Sequence, residues 1–247
     1  MPRIEDFHIG ASPYPELALA ARRYQAERGL HVPVREDYAR VSMPRTVSQS
    51  LGRAYGNLPS SDPRALPAFR AMREEVGKQY DFLTRPQSRG GLGIDIEPSD
   101  EDPYGRHDPN DIINEIRHDV QENRRIQVLS SASTGGHPFF TADQNDMFRG
   151  VHDLFGHLGS GRGVDMHGEE ASFQKHARMF SPLARQALAS ETRGQNSAFH
   201  LGGDFPEQKV ALLPMHMQSA QFSRRASGDE LRAAASDARL ENRKQRL

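Results

Sequence analysis

The segment His152-Asp153-Leu154-Phe155-Gly156-His157 sets two imidazoles five positions apart in an otherwise apolar run, and a further acid, Glu191, follows in a later helix-like segment. Two histidines and one carboxylate are the ligand set of a non-haem iron(II) site with open coordination positions, so His152, His157 and Glu191 point to oxygen chemistry at a metal. The spacing poses a geometric problem. On an ideal helix of 3.6 residues per turn, positions i and i+5 point about 140° apart, so the two rings would diverge. Gly156 can end or distort the last turn and let His157 swing back. The i, i+4 pair of zinc proteases, which needs no distortion, is absent. The plain alternative is two ordinary helix histidines, one buried and hydrogen-bonded, the other solvated.

A second group of candidates lies at His167, Glu169, Glu170 and His176. On one helix Glu169 and His176 share a face, and helices carrying Glu and His can build a carboxylate-bridged pair of metals. The usual Glu-x-x-His spacing is missing, so the mononuclear site ranks first. As neighbours of a metal, Glu170 or Asp153 could accept the second N–H of a ligand histidine. A solvated helix start is the remaining reading for these acids. Downstream, Glu191-Thr192-Arg193-Gly194-Gln195-Asn196 contains poor helix formers between apolar stretches. Such local rule-breaking favours side chains turned inwards for function. Arg193, Gln195 and Asn196 are candidates for orienting Glu191 or a substrate.

The elements that must position these groups read as mainly helical with a small β element. Helices are expected over 14–29, with Leu17, Ala20, Ala21 and Tyr24 on one side, over 35–56 with an interruption at Pro44, and over 67–84. The stripe Phe69, Met72, Val76, Tyr80 and Leu83 reads as core. Ile94–Glu97 and Arg125–Ser130 read as short strands that pair, separated by an amphipathic helix over 111–123. Thr141 is a good N-cap for a helix running through to His157, and further helices are expected over 167–180 and 182–199. Phe139, Phe140, Phe148 and Phe155 could line an apolar pocket or simply pack. The expected division is an N-terminal helical region, 1–93, a metal-site core, 94–217, and a charged helical or frayed tail, 218–247.

Composition narrows the chemistry. The 247 residues suffice for a sizeable core, and 32 basic against 33 acidic residues leave a net charge of −1 and no footprint for nucleic acid. The absence of cysteine excludes thiolate ligands and iron–sulfur clusters. No apolar run approaches the ~18 residues of a membrane span, and the first residues lack the apolar core of a signal peptide. The expectation is a cytoplasmic protein acting on a small-molecule substrate.

The His152–His157 segment resembles the catalytic domain of the pterin-dependent aromatic amino acid hydroxylases. In that family a His-acid-apolar-apolar-Gly-His helix supplies two iron ligands and a later glutamate supplies the third, a place that Glu191 takes here. Pro138-Phe139-Phe140-Thr141 also looks like the family's approach to the motif. The resemblance covers about residues 126–213. It implies a hydroxylase-like helical catalytic core, Fe(II), dioxygen as co-substrate and a reduced pterin as electron donor. The chain departs from the family in three ways. Ala142–Val151 is longer than the family's acidic turn. The carboxylate-binding arginine has no counterpart at Ser133–Gly136, where Arg149 or Arg193 would have to substitute. No tryptophan is present and no platform for a pterin is identifiable.

The leading reading is therefore an iron-dependent monooxygenase with Asp153, Glu170 and Arg193 as supporting catalytic residues. Zinc or manganese suits the same ligands. One alternative is a zinc hydrolase with Asp153 or Glu170 as base. The other is a non-catalytic assembly module on the same scaffold.

Overall fold

Proline punctuation sets the first elements. Pro15 opens helix α1 (Pro15–Glu27), where its missing N–H costs nothing. Leu17, Ala20, Ala21 and Tyr24 are its buried side. The chain turns out of the helix at Gly29, whose φ of 64° is the left-handed conformation glycine tolerates best. Residues 36–44 do not extend the next helix as expected. Helix α2 (Arg45–Gly56) begins directly after Pro44, because a proline disfavours helical backbone in the residue before it. The computed structural model describes residues 14–34, 36–104, 109–220 and 222–223. Most of the expected C-terminal tail lies outside the described residues.

Helix α3 (Leu66–Thr84) carries the expected stripe, with Phe69, Met72, Val76 and Leu83 buried and Tyr80 partly so. Gln79 is buried on the same helix. The short strands β1 (Asp95–Ser99) and β2 (Arg125–Leu129) pair in parallel with Asp95 opposite Arg125. A parallel pair needs a crossover, and helix α4 (Pro109–Asn123) supplies it. Alternation along β2 buries Ile126 and Val128. Helix α5 (Ala142–His152) starts at Thr141 with a reciprocal capping box between Thr141 and Gln144. It crosses the sheet closely at Gly150, where an added Cβ would lie 2.4 Å from the Ile96 side chain.

Three further helices complete the described fold: α6 (Met166–His176), α7 (Pro182–Ala189) and α8 (Gln195–Gly202). The last two were expected as one uninterrupted helix. Helix α3 packs on α5 and α7, and α2 packs on α8. One hydrophobic cluster runs from Leu17 and Phe69 through Ile94 and Phe155 to Leu188 and Val210, so it draws on residues from both sides of position 93. Val210, Ala211 and Leu213 return to the core. Among the described residues no helix is long and apolar enough to cross a membrane.

Candidate metal centre

The helix that begins at Thr141 does not remain α-helical through His157. From Asp153 to Leu158 it widens into a π-helical turn, whose i→i+5 hydrogen bonding brings positions five apart onto one face. His152 and His157 therefore meet, with ring centroids 5.2 Å apart and planes at 87°. Gly156 lies beneath them: an added Cβ would sit 2.3 Å from Ser172 Oγ and 3.2 Å from the His152 ring. Its role is close packing against the ring within a continuing helix, not termination of the helix. A second π-helical turn, Ser190–Gly194, separates α7 from α8 and carries Glu191. The run of poor helix formers noted in the sequence coincides with this widened turn.

His157 Nδ1 lies 3.0 Å from the Arg162 carbonyl oxygen and 3.1 Å from that of Gly163. Carbonyls only accept, so Nδ1 carries the proton and Nε2 keeps its lone pair. That Nε2 is 3.7 Å from Glu169 Oε2. His152 contacts His176 Nδ1 through Nδ1 and Ser172 Oγ through Nε2, each at 3.0 Å. Burial holds both rings in their neutral form, well below the usual histidine range for His152, helped by the neighbouring His157 and His176. Neutral imidazole is the form that binds metal.

The carboxylate that joins the two rings is Glu169. One ligand atom from each of His152, His157 and Glu169 lies within 4.8 Å of the other two. Asn196 holds Glu169 by donating from Nδ2 to Oε2 at 2.5 Å. Burial, with Asp153 and Asp165 nearby, raises the Glu169 carboxyl well above its ordinary value. An acid with no cation beside it is costly to ionise there. Glu191, the expected third ligand, lies outside that group and lines the same cavity. Its Oε2 accepts from His137 Nε2 at 3.1 Å. The proton sits there because His137 Nδ1 accepts backbone N–H groups from Phe139 and Phe140, both at 3.0 Å. Glu191 Oε1 is buried and has no hydrogen-bond partner. Two neutral nitrogens, a partly buried acid and an orphaned carboxylate oxygen at one cavity fit a divalent cation.

The remaining candidates are spread more widely. Asp153 lines the cavity, and burial pushes its carboxyl up to about 7. Glu170 and Arg193 bind each other instead of the histidines. The guanidinium donates through Nε and Nη2 to the two carboxylate oxygens at 2.8 and 2.7 Å, with both side chains fully buried. Arg193 also donates to the carbonyls of Met217 and Ser219, at 2.7 and 2.8 Å. This pair ties the segment after residue 214 to the core. His167 Nδ1 accepts the backbone N–H of Met43 at 3.0 Å. His176 stacks on Phe148 and contacts His152, and burial pushes it down to about 3. Thus of the second acidic–histidine group only Glu169 places a ligand atom beside both His152 and His157, and among the described residues no second cluster of three such ligands forms.

The cavity holds about 400 Å³ and is walled in part by Tyr104, Val128, Phe148 and Phe205. It shares Leu129, Arg149, Phe205 and Gln208 with a second cavity of about 920 Å³ that reaches Gly135, Gly136 and His137. Of the phenylalanines expected near a pocket, Phe148 is in the wall, Phe140 packs on His137 at 4.6 Å, and Phe155 lies in the core against Tyr24 and Phe82. Sequence reasoning missed His137 and Gln79. His137 looked like part of a tight loop, and no local pattern marks either residue.

No protein-family model matches the chain, and neither curated proteins nor solved structures give a match.

Proposed function

We propose that the protein is a mononuclear non-haem iron(II) oxygenase whose metal is held by His152, His157 and Glu169, with Glu191 as a further carboxylate at the same cavity. The observation that carries the reading is the meeting of two neutral imidazoles and a partly buried glutamate within 4.8 Å. When bound, iron(II) supplies dioxygen activation, with one oxygen atom passing to the substrate and the other leaving as water at the expense of two electrons and two protons from a reductant. The resemblance of the His152–His157 segment to the pterin-dependent hydroxylases supports iron over zinc, and a reduced pterin is the donor that the resemblance implies.

This chain's own residues have defined tasks in that scheme. His157 and Glu169 are pre-oriented by the Arg162 and Gly163 carbonyls and by Asn196. His137 holds one oxygen of Glu191 and leaves the other buried without a partner. Val128, Phe148 and Phe205 exclude water and align an apolar substrate group in the cavity. Asp153, on the cavity wall beside His152, favours a second reading as a zinc hydrolase in which this acid moves a proton.

Oxygen uptake by anaerobically iron-loaded protein, with and without a reductant, separates the two. Iron-dependent, reductant-dependent uptake supports the oxygenase. Stoichiometric zinc in protein purified without added metal, with no oxygen uptake, supports the hydrolase.

A further inference from the structure

The proposed centre depends on which nitrogen of His152 is free, and that choice is made outside the motif. We infer that Gln79 and His176 form a hydrogen-bond relay that fixes the tautomer of His152, so that the ring presents its Nε2 lone pair to the cavity. The consequence for metal binding rests on the metal-centre reading above. The tautomer does not.

The relay starts at a carbonyl. Met179 O can only accept, and Gln79 Nε2 lies 3.3 Å from it, so the amide group of Gln79 turns its NH₂ that way. Its Oε1 then faces His176 Nε2 at 2.8 Å and must receive a proton from it. A neutral His176 protonated at Nε2 keeps a lone pair on Nδ1. That nitrogen is 3.0 Å from His152 Nδ1, so His152 must carry its proton at Nδ1. The His152 Nε2 lone pair remains, 3.0 Å from the Ser172 hydroxyl, which can donate to it or rotate away. The reverse arrangement would oppose two lone pairs between His176 and Gln79, or two carbonyl oxygens between Gln79 and Met179. Gln79, Ser172 and His176 are all fully buried, so water does not compete for these groups. Tautomers of ligand histidines are usually set by a carboxylate, a carbonyl or water on the far nitrogen. Here a second histidine intervenes, and a glutamine of α3 sets it. That gives the N-terminal part of the chain a positioning role at the centre, and Gln79 acts on the site only through His176.

The experiment is a long-range ¹H–¹⁵N spectrum of the metal-free, uniformly labelled full chain, with His152 and His176 assigned by single substitutions. The expected pattern is protonation at Nδ1 for His152 and at Nε2 for His176. A His152 protonated at Nε2 overturns the relay, whatever any variant does. Gln79→Leu is expected to mix the His152 tautomers and to weaken cobalt(II) binding by about 10- to 100-fold. Ser48→Ala, which removes a buried hydroxyl on α2 away from the relay, is expected to keep both the tautomer and the affinity, showing that the effect is not general loosening. An unchanged tautomer and affinity in Gln79→Leu contradicts the inference. If Gln79→Leu does not fold, the wild-type spectrum still decides. If wild-type protein takes up no cobalt(II), the metal-centre reading and the affinity effect fail, while the tautomer is judged on the spectrum alone.

Discussion

His152 and His157 stand on one face of a helix although five residues separate them, because the backbone between them makes a π-helical turn. Extra residues of this kind are tolerated in helices mostly where they serve a site. Among the described residues two such turns occur, and they carry His157 and Glu191 to a common cavity.

The turn requires glycine at position 156. A Cβ there meets the Ser172 hydroxyl and the His152 ring, both buried. Gly156→Ala should cost about 1–3 kcal/mol through overpacking and should weaken metal uptake by displacing His152. Chemical denaturation and a cobalt(II) titration measure the two effects. A variant with wild-type values in both shows that the ring position is not set by this contact.

The two carboxylates should separate in their effects. Glu169→Gln is expected to lose stoichiometric metal, since Glu169 is the acid within reach of both rings. His137→Phe, which removes the donor to Glu191 Oε2, should weaken binding by about 10-fold or more without abolishing it. Equilibrium dialysis against iron(II) under nitrogen reads both. Loss of metal in His137→Phe with retention in Glu169→Gln would reverse the roles.

How far these roles were legible in the sequence differs by residue. The His152–His157 pair was readable from residue type and spacing. The distortion needed between them was also foreseen, though its form was not: Gly156 permits a wider turn within the helix instead of ending it. The helices over 14–29 and 67–84 and the paired strands followed from period and capping, which are local signals. Pro44 marked the start of α2 where a longer helix was expected. Which acid lies beside both rings was not legible. Glu169 and Glu191 are both acids on helices after the motif, and only the packing of α6 against the widened turn brings Glu169 to the rings. Gln79 and His137 act through contacts across 97 and 54 positions of sequence, respectively, and no periodicity encodes such pairs.

Glu170 and Arg193 were expected to support catalysis, and their geometry gives them a different test. Glu170→Gln leaves the Arg193 guanidinium buried without its counter-charge, which should cost roughly 3–5 kcal/mol. Metal bound per folded molecule should stay at the wild-type level. Loss of metal at undiminished stability would return Glu170 to the site.

A pH-dependent contribution sits away from the centre. Arg124 donates to both oxygens of Glu16 at 2.9 Å, and this holds the Glu16 carboxyl below its ordinary 4.5, assisted by the Tyr14 hydroxyl. The folded state therefore releases the proton more readily than the unfolded chain. Stability from this pair is present above about 4.5 and is lost as pH falls through the lowered folded value. Both side chains are about one-third exposed, so solvent screening limits the effect to less than about 1 kcal/mol. Urea unfolding of Glu16→Gln should show that deficit at pH 7 and a smaller one at pH 3. A deficit that grows on acidification contradicts the assignment.

Metal stoichiometry bears most directly on the proposed centre. Elemental analysis after anaerobic iron(II) loading and gel filtration should find near one iron per chain in the wild type, none in His152→Ala or Glu169→Ala, and a weaker, partly filled site in Glu191→Ala. A wild-type chain that retains no metal, or full occupancy in His152→Ala, would contradict the centre and leave the assembly-module reading. Full occupancy in Glu169→Ala with loss in Glu191→Ala would instead move the third ligand back to Glu191.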